Sequence, residues 1–251
     1  MKEQIYTIPV NEVYETDCEC PLCELEKRLE REAIDYTLGA AVMEPDFRTV
    51  SNEKGFCNHH YNMLFDMPSK LPLALILDTH LEETRNKLDT LSKSASALGK
   101  EKGGLFKKTS ASDFKENLSK HLDAIADGCV VCNKINHTME RYADVLLYMW
   151  ANDEKFKEKF DKSKGLCLKH MKLLCDTVPK SLRDNQAAQF LSAMFAKQKS
   201  ELERIQSDIH KFTLKFDYRN KDMEWGTAQD APIRTIEKIS GFIKNEDEKK
   251  S

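Results

Sequence analysis

Apolar residues recur at three- and four-residue intervals along most of the chain, with charged residues between them, which is the period of amphipathic helices. After Cys23, residues 24–38 place Leu25, Leu29, Ala33 and Tyr36 on one face, and Gly39 suits a C-cap. Leu73 to about Leu98 reads as a long helix, with Leu73, Leu77, Leu81, Thr84, Leu88 and Leu91 near one stripe. A helix capped by Ser112 or Asp113 runs through Ile125. Another ends near Trp150, with Ile135, Met139, Tyr142, Leu146 and Met149 on one side. Leu182 to about Phe212 is a second long helix. Short helices are expected over His60–Asp66, from His170 to Asp176, and over Ala231–Ile243, the last with Ile233, Ile236, Ile239, Phe242 and Ile243 apolar. No segment shows the period-two alternation of a half-buried strand, so the expected class is all-α.

The breaks between these helices are also marked. Ile8-Pro9-Val10 disfavours helix, so residues 1–17 read as an extended arm. A loop carries Pro45, and Lys155–Lys164 reads as a charged connector. Residues 99–110 combine Gly, Lys and Ser and suggest a boundary. Residues 216–226 are rich in aromatic and turn-forming types, and 244–251 are charged and expected to be disordered.

The helix pattern runs through twice, and a motif runs with it. Cys20-Pro21-Leu22-Cys23 is followed by Gly55-Phe56-Cys57-Asn58-His59-His60. Cys129-Val130-Val131-Cys132 is followed by Gly165-Leu166-Cys167-Leu168-Lys169-His170. Each copy reads C-x2-C, a gap, then G-[FL]-C-x2-H, with gaps of 34 (57 − 23) and 35 (167 − 132) residues. The duplication divides the chain into a first half at 1–100, a second at 111–215 and a tail at 216–251 that packs across the halves. The expected architecture is two tandem helical halves in one bundle-like body.

Composition narrows the setting. Charged residues make up 32% and Gly plus Pro only 16 (9 + 7) of 251, which suits helices rather than a turn-rich sandwich. A net charge of −3 gives no electrostatic reason to expect nucleic acid or an anionic membrane as partner. The longest apolar run, Leu71–Leu77, is closed by Asp78 and is too short to span a bilayer. Met1–Tyr6 lacks the apolar core of a secretory signal. These features place the chain in the cytoplasm, where eight reduced cysteines favour metal binding over disulfides.

Cys thiolates and neutral imidazole are the usual ligands of tetrahedral zinc, and short clips joined by a long segment are a common way to gather four. The expected ligands are Cys20, Cys23, Cys57 and His60 for one ion, and Cys129, Cys132, Cys167 and His170 for a second. Gly55 and Gly165 supply backbone freedom before each second clip. A filled tetrahedral shell is structural, leaving no position for an activated water. An iron–sulfur cluster is the rival, with Cys18 as a possible fourth thiolate beside Cys20, Cys23 and Cys57. Thiol–disulfide chemistry at the C-x2-C pairs is a further alternative, although no βαβ pattern surrounds them. His59 is a weaker ligand candidate than His60, because only His60 matches His170 in spacing. His80, His121, His137 and His210 lie in helical stretches and are read as surface or core residues. Tyr218, Arg219, Asp222 and Trp225 are read as tail packing, with Trp225 as anchor, or else as a lid. No phosphate loop, dinucleotide fingerprint, serine elbow or H-E-x-x-H is present.

The sequence resembles a family of bacterial proteins of about this length, frequent in anaerobic Firmicutes, catalogued as a domain of unknown function. The resemblance rests on Ile5–Val10, Cys-Glu-Cys-Pro-Leu-Cys at 18–23, Gly-Phe-Cys at 55–57, Gly-Leu-Cys at 165–167 and Phe-Asp-Tyr-Arg-Asn-Lys-Asp at 216–222. It implies a cytosolic bacterial setting and brings no activity or ligand. The reading that results is a non-enzymatic, zinc-binding scaffold or binding module with two structural ions and an unidentified protein or small-molecule partner. The alternatives are a redox protein, or an enzyme with a site between the halves.

Overall fold

The computed structural model describes residues 4–96, 115–116, 118–120, 122–123 and 128–242. The expected boundary at 99–110, the cap at Ser112 or Asp113 and the charged terminus at 244–251 lie outside them. All regular structure among the described residues is helical, and none of these helices is long and apolar enough to cross a membrane.

The α-helices in chain order are α1 (Gln4–Val13), α2 (Pro21–Leu38), α3 (Pro45–Lys54), α4 (Asn58–Asp66) and α5 (Leu71–Ser96). They continue with α6 (Val130–Asn152), α7 (Glu154–Lys162), α8 (Leu168–Ser181), α9 (Asp184–Leu214) and α10 (Ala231–Ser240). Two compact units emerge. One is Met1–Leu29 with His137–Ser251, and the other is Glu30–Asn136. Their limits fall within α2 and α6, and so do not follow the repeat halves.

In the first unit, the expected stripe of α6 is buried from Met139 to Met149; Ile135, which falls in the second unit, is buried as well. An aromatic cluster fills the core beside it. Tyr14 meets Phe156 edge-on at 5.0 Å, Trp150 meets Phe190 edge-on at 5.1 Å, and Phe160 and Phe190 lie 5.6 Å apart. Two expectations are corrected here. The arm at 1–17 contains α1 despite Pro9. Proline removes one helical hydrogen bond, and burial of Val10 and Val13 together with the edge contact of Tyr6 on Tyr142 offsets it. The connector at 155–164 is mostly α7, because Phe156 and Phe160 stand four residues apart and bury one side while the lysines face outward. Asp153 caps this helix, accepting from the backbone N–H of Lys155 and Phe156.

The tail belongs to this unit. Trp225 packs on Phe212 at 5.4 Å, while Arg219 pairs with Asp217 at the surface. Helix α10 reverses its expected orientation: Ile233, Ile236 and Ile239 are exposed and Lys238 is fully buried. Carboxylates cause the reversal. Lys238 lies 3.2 Å from Glu19 Oε2, and Arg234 lies 2.9 Å from Asp208 Oδ2.

In the second unit, the segment expected as a loop at Pro45 is α3, with proline in the first turn, where its missing N–H is harmless. It packs on α5 through Arg48 Nη2 donating to Leu75 O at 2.7 Å and Thr79 Oγ1 donating to Asn52 Oδ1 at 2.6 Å. This contact rotates α5 away from its expected stripe. Leu73 and Ile76 are buried, whereas Leu77, Leu81 and Leu88 are exposed.

Candidate metal centres

Each of the four clips sits at a helix start. Cys20 and Cys23 open α2, with Pro21 in its first turn, and Cys129 and Cys132 open α6. Cys57 and Cys167 are the N-terminal caps of α4 and α8, with nearly equal backbone angles (φ −70°, ψ 164° and φ −75°, ψ 161°). At two of the clips a backbone N–H points toward a sulfur. His170 N donates to Cys167 Sγ at 3.5 Å and Cys132 N to Cys129 Sγ at 3.4 Å. Gly55 and Gly165 precede the caps with φ of +61° and +80°, a region that side chains other than glycine rarely adopt. At Gly55 a Cβ would also stand 2.5 Å from His80 Nε2.

The clips come together in two clusters, each of three cysteines and one histidine. The first is Cys20, Cys23, Cys167 and His170, and the second is Cys57, His60, Cys129 and Cys132. In each, the four donor atoms lie within 4.8 Å of one another. All eight residues expected as ligands fall in these two clusters, but the expected grouping by halves is not found: each cluster takes its C-x2-C from one repeat and its C-x2-H from the other. The helices between the clips of each repeat are unequal in length. At 1.5 Å per residue, the 23 residues of α6 run about 34 Å and the nine of α7 about 14 Å. The 18 residues of α2 likewise outrun the ten of α3. In each cluster the clip of the other repeat, identical in chemistry, stands where the repeat's own clip was expected.

In the first cluster, His170 Nδ1 lies 3.5, 3.4 and 3.2 Å from the sulfurs of Cys20, Cys23 and Cys167, and the Cys23 and Cys167 sulfurs are 3.5 Å apart. In the second, His60 Nδ1 lies 3.2, 3.2 and 3.4 Å from Cys57, Cys129 and Cys132, and the Cys57 and Cys132 sulfurs are 3.8 Å apart. Metal bonds of about 2.3 Å to sulfur and 2.0–2.1 Å to nitrogen give tetrahedral edges of about 3.8 Å between sulfurs and about 3.6 Å from sulfur to nitrogen. The donor atoms thus outline a shell for one ion. They do not fit a cluster in which each thiolate binds a different iron, since the cluster's own width would separate them. Cys18 belongs to neither group and Cys57 is not beside Cys20, so the four-thiolate set is not formed.

Ties around the clusters were not expected from sequence. His60 Nε2 is 3.1 Å from Glu30 Oε1, which also bonds His59 Nε2 at 2.7 Å. With Nδ1 facing the thiolates, Nε2–H donates to the carboxylate, which fixes the tautomer a metal needs. His170 Nε2 is 3.4 Å from Glu26 Oε2, an ion-pair contact without hydrogen-bond alignment, and Lys169 also pairs with Glu26. Glu26 and Glu30 are one helical turn apart on α2, a spacing visible in the sequence but shared with many surface pairs. A backbone bond from Val130 N to Gly55 O (3.1 Å) joins the two clips of the second cluster. In the first cluster, Lys238 Nζ donates to Glu19 O and Lys164 O, both at 2.5 Å, the carbonyls just ahead of Cys20 and Gly165. Nothing in the tail's sequence signals that role.

Protonation without a metal follows from these contacts. Burial pulls the His60 imidazole down, but hydrogen bonds to Cys129 and Glu30 and the thiolate charges outweigh it and lift it to about 10. The same balance lifts His170 to about 11. Burial raises the Cys129 thiol, but the bond to His60 and nearby N–H groups bring it down to about 6. Bonds to Cys20 and Cys23, then to His170, hold Cys167 well below the usual thiol range against the effect of burial. Bonds to Cys167 and Cys20, with burial, push Cys23 up; burial and Cys129 do the same to Cys132. Without a metal, these contacts favour imidazolium at His60 and His170, thiolate at Cys129 and Cys167, and neutral thiol at Cys23 and Cys132.

Comparison with curated proteins gave no match, and comparison with solved structures gave none either. A model described as a family of unknown function, DUF6062, matches residues 1–246, and the chain belongs to that family.

Proposed function

We propose that this protein is a non-enzymatic binding or scaffold module whose helices are held by two structural zinc ions. The observation that carries the reading is the pair of closed donor sets, each with three sulfurs and one imidazole nitrogen at edges suited to a single tetrahedral ion. Four protein ligands leave no position for a reacting water. Three thiolates and a neutral imidazole give a divalent ion a net charge of −1, and the helix starts at every clip offset it. The ions contribute folding free energy by fixing clips that are distant in sequence. The near-neutral charge favours a protein or small-molecule partner over nucleic acid or a membrane, in a reducing cytoplasm. The test is elemental analysis with an absorption spectrum, on protein purified without oxygen and without a metal-affinity column. Two zinc ions per chain and no visible colour support the reading; iron with visible absorption, or no metal, overturns it.

A further inference from the structure

The two centres carry the same donors but differ in access to solvent. At the first, all four ligands are buried. At the second, Cys129 and His60 are buried, while Cys57 and Cys132 are only half-buried. The sulfurs of these two stand 3.8 Å apart. Solvent reaches the same neighbourhood at His59, whose side chain is 51% exposed and bonds to the carboxylate that holds His60. Coordination keeps sulfur in its thiolate form, the form that attacks oxidants, and accessibility then decides which thiolates react. Matched donor chemistry makes the first centre an internal control for access.

We infer that the second centre is an oxidation-labile metal site, in which Cys57 and Cys132 join as a disulfide on reaction with a hydroperoxide and release the ion. The inference rests on the proposed reading of both centres as metal sites. One of the two thiolates attacks a peroxide oxygen, the O–O bond breaks, and a sulfenic acid forms as hydroxide leaves. The other thiolate displaces the sulfenic oxygen as a second hydroxide and forms the S–S bond. Two protons convert the hydroxides to water (an alcohol and water for an organic hydroperoxide). The sulfur pair loses two electrons and the peroxide gains them. The sulfurs close from 3.8 Å to the about 2.05 Å of a disulfide. Cys129 and His60 alone then fall short of a tetrahedral shell, so the ion leaves. Its loss frees Cys129 and His60, while the new bridge keeps the start of α4 joined to the start of α6; the buried centre keeps its ion.

The full chain loaded with zinc and treated with hydrogen peroxide tests this, with a zinc-binding dye to follow release and peptide mass spectrometry to locate disulfides. The expected result is release of one of two ions, with the second at least about tenfold slower. The released form carries a Cys57–Cys132 bridge, and a dithiol reductant with added zinc restores the second ion. Release of both ions at one rate, or a bridge that lacks either Cys57 or Cys132 in the once-released form, overturns the inference. A chain that holds no zinc before peroxide is added defeats the metal-site reading itself, and is recognised at the outset.

Discussion

Replacing Lys238 by methionine removes a tail residue that reaches both clips of the first centre. The side chain is fully buried, and its Nζ donates to Glu19 O and Lys164 O at 2.5 Å each. Methionine keeps the length and apolar stem while deleting the charge and the donors. Each buried carbonyl left without that partner costs about 1–3 kcal/mol. The Glu19 carboxylate also loses a cation at 3.2 Å, but it retains Arg204 at 2.6 Å and Arg234 at 3.7 Å, which limits the charge penalty. The combined loss falls in the range of about 3–5 kcal/mol found when one partner of a buried pair is removed. For a chain of this size that lowers the melting temperature by roughly 6–20 °C. Circular dichroism melts of the zinc-loaded protein read the shift, and Lys162→Met, at a side chain 81% exposed, is the control, with an expected change within about 0.5 kcal/mol. A loss below about 1 kcal/mol for Lys238→Met would refute the reasoning, since that is the scale of an exposed ion pair.

Three further outcomes are expected. Glu30→Gln weakens zinc binding at the second centre by about 10–100-fold, read by competition with a chelating dye, and Glu26→Gln acts at the first centre alone. Zinc affinity falls as pH is lowered, because binding at the second centre displaces protons from Cys132, whose thiol is pushed up, and from His60, lifted to about 10; calorimetry in buffers of different ionisation enthalpy should count at least two protons released there. Gly55→Ala destabilises the second unit by at least about 1 kcal/mol, because alanine must adopt a φ of +61° with its Cβ against His80, and chemical denaturation measures the loss.

Much of this was legible in the chain. The spacing of Ile135, Met139, Tyr142, Leu146 and Met149 identified a buried helix face, and that face is buried. The repeated clips identified all eight clustered residues, and matched spacing chose His60 over His59. What spacing alone does not carry is which clip meets which. Both repeats have the same chemistry, so closure within a repeat and exchange between repeats read alike in the sequence. Charge-rich and proline-bearing segments misled for a related reason. Phe156 and Phe160 suffice to bury α7 among lysines, and Pro9 costs α1 one bond that packing offsets. On α10, Glu19 and Asp208, both far away in sequence, decided that Lys238 and Arg234 face inward rather than the isoleucines.

The exchange of clips between repeats is tested most directly by cadmium NMR on protein loaded with the spin-half metal isotope, in which cysteine β-protons couple through sulfur to the ion they bind. Two cadmium resonances are expected. One should couple to Cys20, Cys23 and Cys167 and the other to Cys57, Cys129 and Cys132. A resonance that couples to Cys20, Cys23 and Cys57 together would contradict the account and return each ion to a single repeat.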